Sequence, residues 1–191
     1  MPTLLIALLL LQAPPTPSSG YARYNALTTY DTHFSKYSKR YFGVAFDWRY
    51  FKAQAVAESS LRADARSSAG AIGLMQIMPR TFQEIRAKNP AIGGGADQPR
   101  WNIAAGIWHD RQNFVVWTAE RPFAERLKYM FGSYNAGRGS ILRAQRIALR
   151  EGLDATHWSA IERWLPQVTG RRSGETLAYV TRIFDIKEVL R

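Results

Sequence analysis

Between Asp47 and Leu190 apolar residues return at intervals of three and four in one segment after another, and no segment alternates apolar with polar over a strand's length. That periodicity confines the chain to amphipathic helices. Trp48, Phe51 and Ala55 form one stripe of a helix running from Asp47 to Leu61. Pro79 suits a first helical turn and predicts a helix through Lys88 that stops before Asn89-Pro90. Trp101-Asn102-Ile103 opens another, with Ile103 and Ile107 inward, that ends near Trp117. Pro122 starts the next, in which Phe123, Leu127, Met130, Phe131 and Tyr134 recur, and Gly137 supplies a left-handed stop. A basic helix over Ser140 to Arg150 stops at Gly152, and a short one from Trp158 to Leu165, capped by Asp154, stops before Pro166. The last, Ser173 to Leu190, lines up Tyr179, Ile183, Ile186 and Leu190. With neither hairpin signals nor internal repeats, the fold class is all-α.

A chain of 191 residues, 46% hydrophobic, supports one well-packed domain rather than two. We place it at residues 41–191, behind a lead-in segment at 21–40 rich in Tyr, Ser, Thr and basic residues, with a lead-in helix over Tyr30 to Tyr41. Residues 1–20 differ in kind. Leu4 to Leu11 is an apolar run well short of the ~20 residues that span a bilayer, and Ala13 to Gly20 is a Pro/Ser/Thr linker. The run fits the apolar core of a signal peptide with Leu11-Gln12-Ala13 as its cleavage site. No Lys or Arg precedes it, so a retained hydrophobic tail, associating with a membrane through residues 1–12, stays open.

The formal charge of +11 falls entirely on Tyr21 to Arg191, because residues 1–20 carry no charged side chain. Such a field favours anionic partners: nucleic acid, acidic lipid or a polyanionic wall polymer. There is no cysteine, hence no disulfide framework or thiolate metal site. His33, His109 and His157 lack the i,i+3 or i,i+4 spacing of a metal pair, and neither metal nor cofactor is expected. The Gly93-Gly94-Gly95 loop has no preceding strand and no following Gly-Lys-Ser/Thr, so it is not a phosphate cradle.

Chemistry concentrates near Glu58, three residues past Ala55 and seven past Phe51, on or beside the apolar stripe. Burial disfavours the charged form of a carboxyl there and readies it as a general acid near neutral pH. Glu58-Ser59, the stretch Ala65-Arg66-Ser67-Ser68-Ala69-Gly70-Ala71-Ile72-Gly73-Leu74-Met75-Gln76, then Ser133-Tyr134-Asn135-Ala136-Gly137 and Tyr179-Val180 follow one another in order. Together they resemble the signature of lytic transglycosylases with a soluble-lytic-transglycosylase or goose-type lysozyme domain, across Asp31 to Arg191. Ser133 stands where that family more often has Ala.

The resemblance implies a lysozyme-like helical domain with a substrate groove that acts on peptidoglycan glycan strands. It implies cleavage of the β-1,4 bond between N-acetylmuramic acid and N-acetylglucosamine with a 1,6-anhydromuramoyl product. Glu58 would be the sole acid/base, assisted by the substrate's acetamido group, and Tyr179 would hold it in orientation. Gln76 and Asn135 would offer neutral polar groups to the sugars, with Ser59, Ser67, Met75 and Tyr134 as further substrate contacts. Met75 is expected as groove wall and Met78 as core. Asp47 and Asp64 are read as cap or turn residues rather than a second catalytic carboxylate. Two other readings stay open: lysozyme-type hydrolysis on the same fold, and a non-catalytic basic module for nucleic acid or anionic wall polymer. On the favoured reading no nucleic acid is expected, the setting is the bacterial envelope, periplasmic or exported, or a phage virion, and assembly partners stay unidentified.

Overall fold

The structure, a computed structural model, describes residues 17–118 and 120–191; the apolar run expected to be a signal peptide or tail lies outside them. A 3-10 segment, Pro17–Ala26, leads into α1 (Asp31–Phe42), α2 (Arg49–Ser59), α3 (Pro79–Lys88) and α4 (Pro99–Phe114). There follow α5 (Phe123–Ala136), α6 (Arg138–Arg150), α7 (Trp158–Thr169) and α8 (Arg172–Val189). No sheet forms among the described residues; Ile72 makes isolated bridges to Arg66 and Ile77. The all-α expectation holds. Among the described residues no helix is long and apolar enough to cross a membrane.

Helices begin where proline permits, Pro79 and Pro99 occupying first turns whose N–H groups would have no helical partner anyway. The expected end of α7 at Leu165 is corrected: the helix runs through Pro166 to Thr169. A proline so near the end deletes only its own backbone bond, and Gly170 N–H closes the helix onto the Pro166 carbonyl at 2.9 Å. Gly137 stops α5 at φ 81°, as read from the sequence.

α8 carries the architecture. It packs against α2, α5, α7 and the 3-10 segment, while α4 packs against α1, α3 and α5. α2 presents Phe51 and Ala55 to a continuous core, with Trp48 partly buried at its edge. One ionic contact ties α2 to α1: Lys52, 3% exposed, places Nζ 2.8 Å from Asp31. Asp31→Ala strands that buried ammonium and should cost about 3 kcal/mol, read as a lowered urea midpoint with an unchanged slope.

Candidate active site

Glu58 is the penultimate residue of α2, and the chain turns away immediately behind it. Ser60 and Leu61 both hold positive φ, 55° and 59°. Ser60 N–H and Leu61 N–H return to the Val56 and Ala55 carbonyls and close the helix end. Ser59, 5% exposed, donates its hydroxyl to the Ala55 and Leu74 carbonyls at 3.1 and 2.9 Å. It therefore braces the helix end against the following loop, which corrects its expected role as a substrate contact.

The loop from Arg62 to Met78 is built on backbone hydrogen bonds. Gly73 N–H donates to Ala65 at 2.8 Å, and Ile72 and Ile77 exchange N–H···O bonds at 3.0 and 3.1 Å. Buried Asn102 clamps the loop from α4: Oδ1 accepts the Met75 N–H at 2.7 Å, and Nδ2 donates to the Ile72 and Ala96 carbonyls, both at 2.8 Å. Gly73, at φ 77°, is required here. A Cβ on it would stand 2.7 Å from the Asn102 amide.

Neither methionine takes its expected place. Met75 is fully buried, so close to α4 that a Cβ on Gly106 would lie 2.8 Å from its Cγ, whereas Met78 is 41% exposed. The turn, with φ 43° at Gln76, directs residue 75 into the core and residue 76 outward. The Met75 carbonyl accepts the Tyr134 hydroxyl at 2.7 Å. That bond also takes the Tyr134 hydroxyl away from a ligand, and the ring packs edge-on against His109 at 5.4 Å.

Ala57, Glu58, Ser67, Gln76, Asn135, Glu175, Ala178, Tyr179 and Arg182 line a cavity of about 280 Å³. Five of the site residues read from sequence meet there. Tyr179, 5% exposed, donates its hydroxyl to Glu58 Oε1 at 2.6 Å, joining residues 121 positions apart. Gln76 Nε2 donates to the Gly73 and Ala65 carbonyls at 2.9 and 3.2 Å, so Oε1 is the end left for a ligand. Asn135 Oδ1 accepts the Thr176 hydroxyl at 2.7 Å, which leaves Nδ2. Ser67 Oγ accepts the Ala71 N–H at 3.0 Å at the loop's edge.

Three residues escaped the sequence reading: Asn102, Glu175 and Arg182. The last two were findable, since positions 175, 178, 179 and 182 share one helix face with Tyr179. Asp47 lies elsewhere, accepting from the Arg49 N–H at 3.1 Å and pairing with its guanidinium at 2.8 Å, and Asp64 is exposed. A larger groove, about 680 Å³, opens between α6 and α7 around Arg143, Arg146 and Arg150, but no carboxylate or phenol lines it. Among the described residues no group of three or more His, Cys, Asp or Glu side chains converges.

Burial raises the Glu58 pKa from 4.5 to about 7; Glu175 adds to the rise, while the Tyr179 hydrogen bond and Arg182 oppose it. Tyr179 and Tyr134 are held well above the ordinary phenol range by burial and by the Glu58 charge, so both remain O–H donors. Burial, with Arg138 and Lys88 near, lowers His109 to about 4 and keeps it neutral.

A cavity holding one raised carboxyl, one phenol and two half-free amides decides among the readings only together with kinship. A family model, the transglycosylase SLT domain, matches residues 34–154. The chain belongs to this family. It is 27% identical over 155 residues to a membrane-bound lytic murein transglycosylase F of Shewanella pealeana, covering 81% of this chain and 30% of that protein. It is 29% identical over 142 residues to the Vibrio vulnificus protein of the same name, covering 74% and 25%. The chain thus spans less than a third of the length of these relatives. The 70 kDa soluble lytic transglycosylase of Escherichia coli shares the fold at a TM-score of 0.63 and 24% identity, over 85% of this chain and 24% of that one. An inactive mutant of the lytic transglycosylase Slt from Pseudomonas aeruginosa does so at 0.65 and 21%, over 84% and 23%.

Two predictions follow from this geometry. Asn102→Ala leaves the Met75 N–H and the Ala96 carbonyl without their side-chain partner and takes one of two donors from the Ile72 carbonyl, which keeps the Ile77 N–H, at about 3 kcal/mol, measurable by thermal or urea unfolding. The second concerns pH. Because folding raises the Glu58 pKa, the folded state binds a proton the unfolded state has released, and stability falls as pH rises from about 4.5 to about 7. Glu58→Gln should remove that decline, so the variant gains on the wild type across this window and stays ahead above it.

Proposed function

We propose that this domain is a peptidoglycan lytic transglycosylase, cleaving the β-1,4 bond between N-acetylmuramic acid and N-acetylglucosamine and leaving a 1,6-anhydromuramoyl end. The observation that carries this reading is the Glu58 carboxyl, poised at about 7 and accepting the Tyr179 hydroxyl at 2.6 Å within a cavity. Family membership supplies the substrate class.

Protonated Glu58 gives its proton to the glycosidic oxygen as the C1–O bond breaks. The substrate's 2-acetamido oxygen closes on C1 as an oxazolinium ion, so no protein nucleophile is needed. Glu58, now a carboxylate, takes the proton of the muramoyl C6 hydroxyl while O6 attacks C1 and expels the acetamido oxygen. The enzyme ends in its starting protonation state, and no water is consumed. The Tyr179 hydroxyl holds the carboxyl at a fixed angle and favours its charged form midway through the cycle. Gln76 Oε1 and Asn135 Nδ2 supply an acceptor and a donor for sugar amides and hydroxyls. Ser67 stands at the cavity edge.

Glu175 lines the same cavity and is the group that an inverting, lysozyme-type hydrolysis would use to activate a water. Lysozyme-type hydrolysis adds one water to the product, so mass spectrometry of the muropeptides separates the two. The basic-module reading draws on the net charge alone and gives Glu58 and Tyr179 no task. The setting we assign is the bacterial cell envelope, since the relatives are named as membrane-bound murein enzymes. Periplasmic and virion placements are told apart by fractionation.

On purified sacculi the wild type should release anhydro-muropeptides, and Glu58→Gln should lose at least about a hundredfold in rate while still binding the wall; undiminished release by that variant sinks the assignment. Activity should fall above about pH 7, as the acid ionises. Tyr179→Phe removes a hydrogen bond that lowers the Glu58 pKa. Its alkaline limb should therefore move to higher pH, with turnover down about tenfold to a hundredfold.

A further inference from the structure

Directly behind the cavity lies a second buried carboxyl that the proposed chemistry does not use. Asp110, on α4, is fully buried, and so is Gln54, one turn before Glu58 on α2. Gln54 Nε2 faces Asp110 Oδ1 at 3.5 Å. Their two remaining oxygens, Gln54 Oε1 and Asp110 Oδ2, have no hydrogen-bond partner. Both are acceptors if Asp110 is ionised, and a buried acceptor without a donor is left with its desolvation uncompensated. The pair is short by one hydrogen.

Among the described residues no cation acts on Asp110, and Arg138, against α4, is hydrogen-bonded to Asn113 and Gln112. α2 contributes the Glu58 carboxyl, α5 the Tyr134 phenol and α8 the Tyr179 phenol, all of which interact with Asp110 electrostatically. On α4 itself, neighbouring His109 is neutral. Arg111 lies over the Phe42 and Phe114 rings. From α1, His33 and Tyr37 meet Arg100 at the start of α4, and from α3, Glu84 and Lys88 act on His109.

We propose that Asp110 is a carboxylic acid at working pH, its Oδ2–H donating to Gln54 Oε1 while Gln54 Nε2–H donates to Oδ1, a neutral acid–amide pair that positions the Glu58 turn of α2. One proton satisfies both orphan oxygens at once. Burial without a cation pushes the Asp110 pKa in the same direction, well above the ordinary range. The pair also keeps a second negative charge away from Glu58, whose proton affinity is then set by its own cavity. Asp110 acts through Gln54 and the helix and touches no substrate; it is a positioning residue. The inference rests on the transglycosylase reading for its consequence, though its protonation state can be tested without activity.

Infrared difference spectroscopy on Glu58→Gln at about pH 8, where ordinary carboxyls are ionised, should still show one protonated carboxyl, lost when Asp110→Asn is added. Absence of that band in Glu58→Gln alone overturns the proposal, whether or not the double variant folds. In the otherwise wild-type enzyme, Asp110→Asn keeps the paired geometry with an N–H in place of the O–H. Turnover should stay within about twofold and the alkaline limb should not move. A fall of that limb by about one pH unit would mean a negative charge had been removed, and would overturn it too. Asp110→Leu, which leaves Gln54 unpaired, should lose about tenfold in turnover; equal losses in the Asn and Leu variants count against the pairing. If the transglycosylase reading alone is wrong, wild-type enzyme releases no anhydro product while the infrared band remains.

Discussion

A phenol from α8 and a carboxyl from α2 meet at 2.6 Å, and the arrangement of the other helices makes sense as the frame that holds them there. α2 and α8 lie side by side, α5 packs along α8, and the 3-10 segment covers its other side. The contact joins residues 121 positions apart in sequence. Local helix propensity cannot create it; it exists once the core around Phe51, Ala55, Val180 and Ile183 has closed. The same closure withdraws Glu58 from water and raises its proton affinity. Packing and reactivity therefore come from one event.

The opposite wall of the cavity obeys a different constraint. It is a loop, and its backbone polar groups need partners that neither a helix nor a sheet supplies. Asn102 bonds two of them, and the Ala96 carbonyl before α4, from a fully buried position, and Gln76 and Ser59 satisfy others. Side chains that a surface reading would aim at ligand are thereby committed to holding main chain. The proposed Asp110–Gln54 pair extends this satisfied polar layer beneath the Glu58 turn.

How far the sequence foretold this depends on which physics each residue expresses. Helices were legible because period and punctuation are local: Pro79, Pro122 and Gly137 mark boundaries within a residue or two. Pro166 misled because a proline near a helix end forfeits a single bond, too little to stop α7. Glu58, Tyr179, Gln76, Asn135 and Ser67 were singled out by motif and do converge on one cavity. Met75 came out buried and Met78 exposed because facing in a loop is decided by φ at Gly73 and Gln76 rather than by any repeat. Asn102 was invisible because its task, pairing with three backbone groups from elsewhere in the chain, leaves no trace in composition. Nothing local in the sequence marks Asp110 or Gln54, since burial of both comes from how the helices pack together.

The two amides of the cavity are tethered by opposite ends. Thr176 occupies the oxygen of Asn135, and the Gly73 and Ala65 carbonyls occupy the nitrogen of Gln76. One therefore presents N–H and the other C=O. An acetamido group also carries one of each, so on the proposed reading it pairs with both only when it lies one way round. A polymer of N-acetylated sugars has a reducing and a non-reducing direction, and on that reading this fixed polarity selects the orientation in which a strand lies in the cavity.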